Sequence, residues 1–204
     1  MDDDRAVAAI VLAAGGARRF GSSKALARLG GRELIRIAVD AAIGGGCRPI
    51  VVVLGAEAAA VARALDGLSV LRVIHRGWRR GVASSIRAGL AEVERSNPHA
   101  PAVLLVGIDQ PLIDAELVGR LLAASEGGSR PAAAAYADTI GIPAVVPRER
   151  FAALRRLTGE GGAKRTLLAA GPRLARVDWP DGAHDVDRRE DLARLAPTRR
   201  RPGR

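Results

Sequence analysis

Short apolar runs alternate with longer helix-like segments along most of this sequence. Strands are predicted for the compact apolar runs at residues 6–12, 49–54, 70–74 and 101–108. Helices are predicted between them, at residues 32–43, 56–65 and 82–94. This order predicts βαβ units and a mostly parallel sheet, because consecutive parallel strands need a crossover helix.

The pattern changes after residue 109. Strands at 131–136 and 140–146 are close enough in sequence to pair antiparallel. Further elements are predicted as helices at 115–124, 148–157, 164–170 and 191–195 and a strand at 174–177. With no internal repeat or linker, the chain is predicted to be one three-layer α/β/α domain over residues 1–196, with a basic disordered tail at 197–204.

The charge of the chain favours an anionic partner without naming one. Lys and Arg total 32 against 22 Asp and Glu, a formal net charge of +10. Most of the arginines are scattered, and aromatic residues make up 2% of the chain, which argues against stacking on single-stranded nucleic acid. We therefore predict no nucleic-acid partner, although charge alone leaves a binder that acts through the tail as an alternative.

A cytoplasmic, membrane-free protein is predicted from three further features. Cys47 is the single cysteine, so no internal disulfide forms and a reducing compartment is expected. The acidic residues 2–4 are unlike the basic start of a secretory signal. No uncharged apolar run reaches the roughly 18 residues that span a membrane.

The segment from Gly15 to Lys24 directly follows the first predicted strand and combines glycines with basic side chains. Glycines let the backbone approach a ligand, and successive amide N–H groups form an anion-binding nest. The spacing differs from the P-loop and from the G-x-G-x-x-G pattern. We interpret the segment as a phosphate-binding loop; the alternative is a flexible connector with incidental arginines.

Asp109 follows the most apolar predicted strand. Ligands bind in the crevice at the carboxyl ends of parallel strands, so this position favours a functional carboxylate. The alternative is a helix N-cap or a turn carboxylate before Pro111.

Several motifs along the chain resemble motifs that occur in the same order in one known family. The segment Leu12-Ala13-Ala14-Gly15 with Arg19, Gly21 and Lys24 resembles the opening motif of the sugar-nucleotidyltransferase-like superfamily. Residues 77–90, Asp109-Gln110-Pro111, residues 141–143 and residues 157–164 are similar to motifs of the molybdenum cofactor cytidylyltransferases within the MobA-like NTP transferase group. Departures from the family pattern are Ala17, Glu160, Lys164 and the pair Arg188-Arg189.

The resemblance implies a nucleotide-diphospho-sugar transferase type of fold, with a Rossmann-like sheet, and Mg²⁺-dependent transfer of CMP from CTP to the phosphate of molybdopterin. The implied nucleotide-binding residues are Leu12, Ala13, Ala14, Gly15, Gly16, Arg19, Lys24, Ser84 and Ser85. Arg19 and Lys24 would neutralise phosphates and, with Asp109, form the catalytic set. The implied acceptor-binding residues are Trp78, Arg87, Gln110, Pro143 and Lys164, and the implied Mg²⁺ ligands are Asp109 and Asp187, with Asp185 as the alternative to Asp187. For Asp185 and Asp187, capping of the last helix is the structural alternative.

CTP is expected because Ala14 matches the L-A-A-G form of the cytidylyltransferases, and a molybdenum hydroxylase is a possible downstream partner. Three alternatives remain from the sequence. One is transfer from a different NTP, and a second is an NAD(P)H-dependent activity like that of nicotine blue oxidoreductases. A third is a non-catalytic protein that holds the molybdenum cofactor and delivers it to its enzyme.

Overall fold

The strand at the centre of the fold alternates between two apolar layers. In a computed structural model, which describes residues 6–16, 20 and 23–195, the first strand (β1) spans Ala8–Ala13. Ala9 and Val11 face one hydrophobic cluster, whereas Ala8 and Ile10 face the other. Because both faces are covered, the strand reads as a continuous apolar run rather than an alternating one.

Eight further strands are described after β1. They are β2 (Arg28–Leu29), β3 (Arg32–Glu33), β4 (Ile50–Leu54), β5 (Leu71–Ile74), β6 (Ala102–Gly107), β7 (Ala132–Tyr136), β8 (Thr139–Pro147) and β9 (Ala175–Asp178). Within the described part of the chain, seven of the nine form one sheet in the order β5-β4-β1-β6-β8-β7-β9. Strand β8 is antiparallel to both of its neighbours, and the other pairs are parallel. The predicted mostly parallel sheet with an antiparallel pair near its end is therefore confirmed.

The α-helices cover both faces of this sheet. They are α1 (Leu34–Gly44), α2 (Ala58–Ala64), α3 (Val82–Ser96), α4 (Ala115–Ala124), α5 (Phe151–Arg155), α6 (Lys164–Leu168) and α7 (Arg189–Leu195). Buried side chains of α1, α2 and α4 join one hydrophobic cluster, and those of α3, α5 and α6 join the other. This arrangement is the predicted three-layer α/β/α sandwich.

A short hairpin explains why α1 begins two residues later than predicted. Strands β2 and β3 pair antiparallel, and Gly30 and Gly31 between them both have positive φ, which glycine adopts without strain. Arg32 and Glu33 therefore belong to the hairpin instead of the helix.

None of the helices in the described part of the chain is long and apolar enough to cross a bilayer. The predicted tail at 197–204 lies outside the described residues.

Candidate active site

A cleft of about 500 Å³ opens at the carboxyl ends of β1 and β6, beside the first turn of α3. Carboxyl ends of parallel strands are the usual ligand-binding edge of such sheets. Eight of the residues that the sequence analysis assigned to function line this cleft: Leu12, Ala14, Gly15, Gly16, Lys24, Trp78, Ser85 and Asp109. The structure thus brings the predicted phosphate-binding loop and the predicted metal ligand together.

The described part of the phosphate-binding loop is held by packing. A Cβ on Gly16 would lie 2.6 Å from Cη2 of Trp78, and one on Gly55 would lie 2.8 Å from its Cγ. Both glycines therefore admit the Trp78 indole to the rim of the cleft. At the far end of the loop, Phe20 is buried, and Lys24 opens a short 3₁₀ helix. Arg19, one of the predicted phosphate-binding cations, lies outside the described residues.

Asp109 follows β6 and projects back over it. A Cβ on Gly107 would collide with the Asp109 carboxylate, so glycine at this strand end makes room for that side chain. The backbone carbonyl of Asp109 accepts a hydrogen bond from the N–H of Val186 at 2.7 Å. This bond joins the end of β6 to residues 179–187, here called the return segment.

The return segment carries two further aspartates, Asp185 and Asp187, close to the residues that line the cleft. Val186 is completely buried, while Asp185 and Asp187 on either side of it are exposed. Burial of the valine therefore turns both aspartates away from the core. Nζ of Lys24 lies 2.9 Å from Oδ1 of Asp187, which places the return segment against the phosphate-binding loop.

The electrostatics of these carboxylates fit a divalent cation. Partial desolvation by the surrounding protein raises the pKa of Asp185, the neighbouring Asp109 and Asp187 raise it further, and Lys24 lowers it. Mutually repelling carboxylates beside a phosphate-binding loop offer the oxygen donors that hard cations prefer. Among the described residues, no group of three Asp, Glu, His or Cys side chains is already arranged as a metal-binding set. The oxygen donors of these carboxylates fit a divalent cation by their chemistry.

The opposite wall of the cleft is the beginning of α3. Gly81 has a φ of +91°, and a Cβ there would collide with the carbonyl of Gly159. Of the two predicted serines, Ser85 faces the cleft. Oγ of Ser84 instead donates to the Gly81 carbonyl at 2.8 Å and shares a hydrogen bond with Nε2 of His75 at 2.9 Å. Ser84 thus stabilises the first turn of α3 without lining the cleft.

Most of the predicted acceptor-binding residues lie outside the cleft lining. Arg87 donates to the Leu157 carbonyl and Lys164 to Oγ1 of Thr139, while Pro143 is buried within β8. Gln110 is 4% exposed, and its Nε2 donates to the Gly182 carbonyl at 3.0 Å. Ala13, predicted to bind nucleotide, is instead buried in the hydrophobic cluster that includes α1, α2 and α4, on the face of the sheet opposite α3. Trp78 is the member of the acceptor set that the structure places at the cleft.

Other cleft residues were not assigned by the sequence analysis, chiefly Arg79 and Glu160. The guanidinium of Arg79 lies 4.5 Å from the centre of the Trp78 ring, a cation–π arrangement. Arg79 lies within residues 77–90, which resemble a family motif. Its place in that motif was the one sequence feature that indicated a role at the cleft. Burial raises the pKa of Cys47 to about 12, so this buried thiol stays protonated and packs as a small apolar side chain.

Comparison with known proteins gives the family. Residues 9–177 match the family described as MobA-like NTP transferase domain. The chain is 34% identical to nicotine blue oxidoreductase of Paenarthrobacter nicotinovorans, over 93% of this chain and 96% of that protein. It is 32% identical to 2-C-methyl-D-erythritol 4-phosphate cytidylyltransferase of Nocardia farcinica, over 92% and 83% of the two chains. It is 31% identical to molybdenum cofactor guanylyltransferase of a Bradyrhizobium species, over 92% and 91%.

Solved structures agree with the fold. The crystal structure of Rv0371c from Mycobacterium tuberculosis superposes with a TM-score of 0.78 at 29% identity, covering 94% of this chain and 97% of that one. A structure of the same protein in complex with manganese has a TM-score of 0.71, with the same identity and coverage. A divalent metal is therefore found in a close structural neighbour.

Proposed function

We propose that this chain, which belongs to the MobA-like NTP transferase family, transfers a nucleotidyl group from an NTP to a phosphate-bearing small molecule. Family membership supports a nucleotidyltransferase. The observation that carries the proposal is that Lys24 and Asp109 line one cleft and that the return segment contacts both of them. Cationic and glycine-rich groups on one side and carboxylates on the other match the two components of a metal–triphosphate complex.

Each part of the cleft has a separate task in this proposal. Backbone N–H groups of Gly15 and Gly16 and the ammonium of Lys24 bind the triphosphate, where negative charge builds during transfer. Asp109, with Asp187 or Asp185, would hold Mg²⁺. When bound, that ion supplies positive charge beside the phosphates and the departing pyrophosphate. We keep Arg19 as a second phosphate-binding cation in the proposal.

For the substrates, we propose CTP and the molybdenum cofactor. The support is the order of motifs from Leu12 to Lys164 and the L-A-A-G form that includes Ala14. Relatives of similar identity are named for cytidylyl and for guanylyl transfer, so the base is the first property to test. A molybdenum hydroxylase remains the proposed recipient of the product.

The experiment is a pyrophosphate-release assay with each of the four NTPs, Mg²⁺ and molybdenum cofactor. We expect CTP to give the highest rate. Asp109→Asn tests the metal site, because it keeps the shape of the side chain and removes its charge. Its kcat should fall on the order of 10²-fold or more. Equal rates with all four NTPs would refute the base assignment, and normal turnover by Asp109→Asn would refute the metal site.

A second function is favoured by the 34% identity to nicotine blue oxidoreductase over nearly the whole of both chains. The activity in that relative's name is a reduction or oxidation, so this chain would instead exchange hydride between NAD(P)H and a small aromatic molecule. Loss of NAD(P)H absorbance with an aromatic acceptor, together with no pyrophosphate release from any NTP, would replace the first proposal by the second. The shared fold does not separate them, because function depends on the site.

A further inference from the structure

Gln110 and the return segment are joined by a contact that the proposed chemistry does not use. Gln110 follows Asp109 directly, yet it points away from the cleft lining and is almost completely buried. Its Nε2 donates to the carbonyl of Gly182, 72 residues later in the chain, at 3.0 Å. Within the described residues its Oε1 is buried without a hydrogen-bond partner. A buried amide oxygen without a partner costs stability, so stability alone does not account for this side chain.

Tyr136 holds the same point of the return segment from the other side. A Cβ on Gly182 would collide with Cδ1 of Tyr136 and would lie 2.5 Å from Cε3 of Trp179. The rings of Tyr136 and Trp179 meet edge to face, with centroids 6.0 Å apart. Gly182 is therefore enclosed by two aromatic rings and held by the Gln110 amide.

The Tyr136 hydroxyl is close to the carboxylates that this contact serves. Burial raises the pKa of Tyr136, a hydrogen bond with Gln110 lowers it, and Asp185 and Asp109 raise it again. The phenol is therefore influenced electrostatically by the amide and by both carboxylates.

The topology explains why such a contact is needed. Strand β9 lies at the far edge of the sheet, separated from β6 by β7 and β8. After β9 the chain must cross the ends of those strands before Val186 can bond to Asp109. Tyr136 ends β7 and lies on this path, so a clamp there shortens the free length of the return segment.

We propose that Gln110 and Tyr136 are positioning residues: they clamp Gly182 and thereby place Asp185 and Asp187 where they bind the divalent cation together with Asp109. This inference rests on the proposed function, because it concerns the metal of that same site. Outer residues that orient metal ligands typically contribute 10–100-fold in metal affinity. The clamp should therefore affect metal binding more than folding.

The test is the affinity for Mn²⁺ alone, measured from the electron paramagnetic resonance signal of the free ion. Gln110→Leu keeps the size of the side chain and removes its hydrogen bond to Gly182. We expect its Mn²⁺ affinity to fall about 10-fold or more. Its Tm should stay within about 4 °C of wild type, because the unsatisfied Oε1 is removed together with the bond.

Gly182→Ala tests the other side of the clamp, since its Cβ would push the return segment away from Tyr136. We expect the same loss of Mn²⁺ affinity. Arg130→Gln is the matched control, because Nε of Arg130 also bonds a distant backbone carbonyl, that of Arg173 at 3.1 Å, but far from the carboxylates. Its Mn²⁺ affinity should equal that of wild type. Binding of metal-free CTP should be unchanged in Gln110→Leu, because the phosphate-binding loop is untouched.

The outcomes separate this inference from the proposed function. If Gln110→Leu and Gly182→Ala fold and bind Mn²⁺ as tightly as wild type, the clamp is refuted. It is also refuted if Arg130→Gln weakens Mn²⁺ binding to the same degree, since the effect would then be general. If Asp109→Asn binds Mn²⁺ like wild type, the metal site of the proposed function fails instead.

Discussion

Replacing Lys24 by methionine should move metal affinity and nucleotide affinity in opposite directions. Nζ of Lys24 lies 2.9 Å from Oδ1 of Asp187, so a divalent cation that uses Asp187 must first displace the ammonium. Methionine keeps most of the length of the lysine stem and removes the charge. Asp187 is then free to bind the cation, whereas the triphosphate loses a cationic partner.

The size of the expected change in Mn²⁺ affinity follows from the solvent exposure of the Lys24–Asp187 ion pair. The Lys24 side chain is 14% exposed, but that of Asp187 is 62% exposed, so solvent screens their attraction. Ion pairs of this kind contribute about 1 kcal/mol or less. Removing this competition should therefore tighten the binding of Mn²⁺ alone by up to about fivefold. A charge-assisted hydrogen bond to phosphate is worth about 1.5–3 kcal/mol, so metal-free CTP should bind at least about tenfold more weakly.

The assays are Mn²⁺ titration by electron paramagnetic resonance and CTP titration by calorimetry in the absence of metal. Lys164→Met is the matched control, because Lys164 is the other lysine in the sequence and its ammonium contacts Thr139 instead of an aspartate. Its Mn²⁺ affinity should not change. If Lys24→Met weakened Mn²⁺ binding, Lys24 would be helping the metal site and the reasoning from competition would be wrong.

Two further predictions concern Gly81 in the wall of the cleft and Asp185 beside it. Gly81→Ala should lower the free energy of unfolding by about 1–3 kcal/mol in urea denaturation, because its φ of +91° with a ψ of 170° is nearly exclusive to glycine and its Cβ would meet the Gly159 carbonyl. Gly119→Ala, in the open middle of α4, should cost nothing and is the control. Because the pKa of Asp185 is raised, the contribution of this carboxyl to the stability of the metal-free protein should grow as pH falls through that pKa, and Mn²⁺ affinity should begin to fall at a higher pH than for an ordinary aspartate. Asp185→Asn should remove both effects in pH-dependent melting and Mn²⁺ titrations; an unchanged profile would contradict the assignment.

The central strands of the sheet and the position of Asp109 at the cleft could be predicted, because the sequence patterns that indicate them are local. Strands β1 and β6 are continuous apolar runs, and α4 has the predicted bounds Ala115–Ala124. Asp109 directly follows a buried strand, so its place at the carboxyl edge of the sheet follows from strand direction alone. The hairpin of β2 and β3 was missed because its two strands have two residues each and carry no apolar pattern.

The surroundings of Gln110 and Arg87 could not be predicted in the same way. Their partners, the carbonyls of Gly182 and Leu157, lie 72 and 70 residues away in the chain. Backbone carbonyls carry no sequence signal, since every residue has one. A motif indicates that a polar side chain matters, but whether it faces the cleft or braces the backbone is decided by tertiary packing.

The departure from the family pattern at Arg188-Arg189 lies in a turn that is held by backbone hydrogen bonds. The backbone N–H groups of Asp187 and Arg188 both donate to Oδ2 of Asp191, at 3.0 and 2.8 Å. These bonds lower the pKa of Asp191 and shape the turn into α7. Because that turn is closed by a carboxylate acting on backbone groups, its shape does not depend on the side chains at 188 and 189; that of Arg189 instead donates to the Phe20 carbonyl. The backbone at Asp187 is thus held by Asp191 on one side and by buried Val186 on the other, so the position of this proposed ligand does not require the family's residues at 188 and 189.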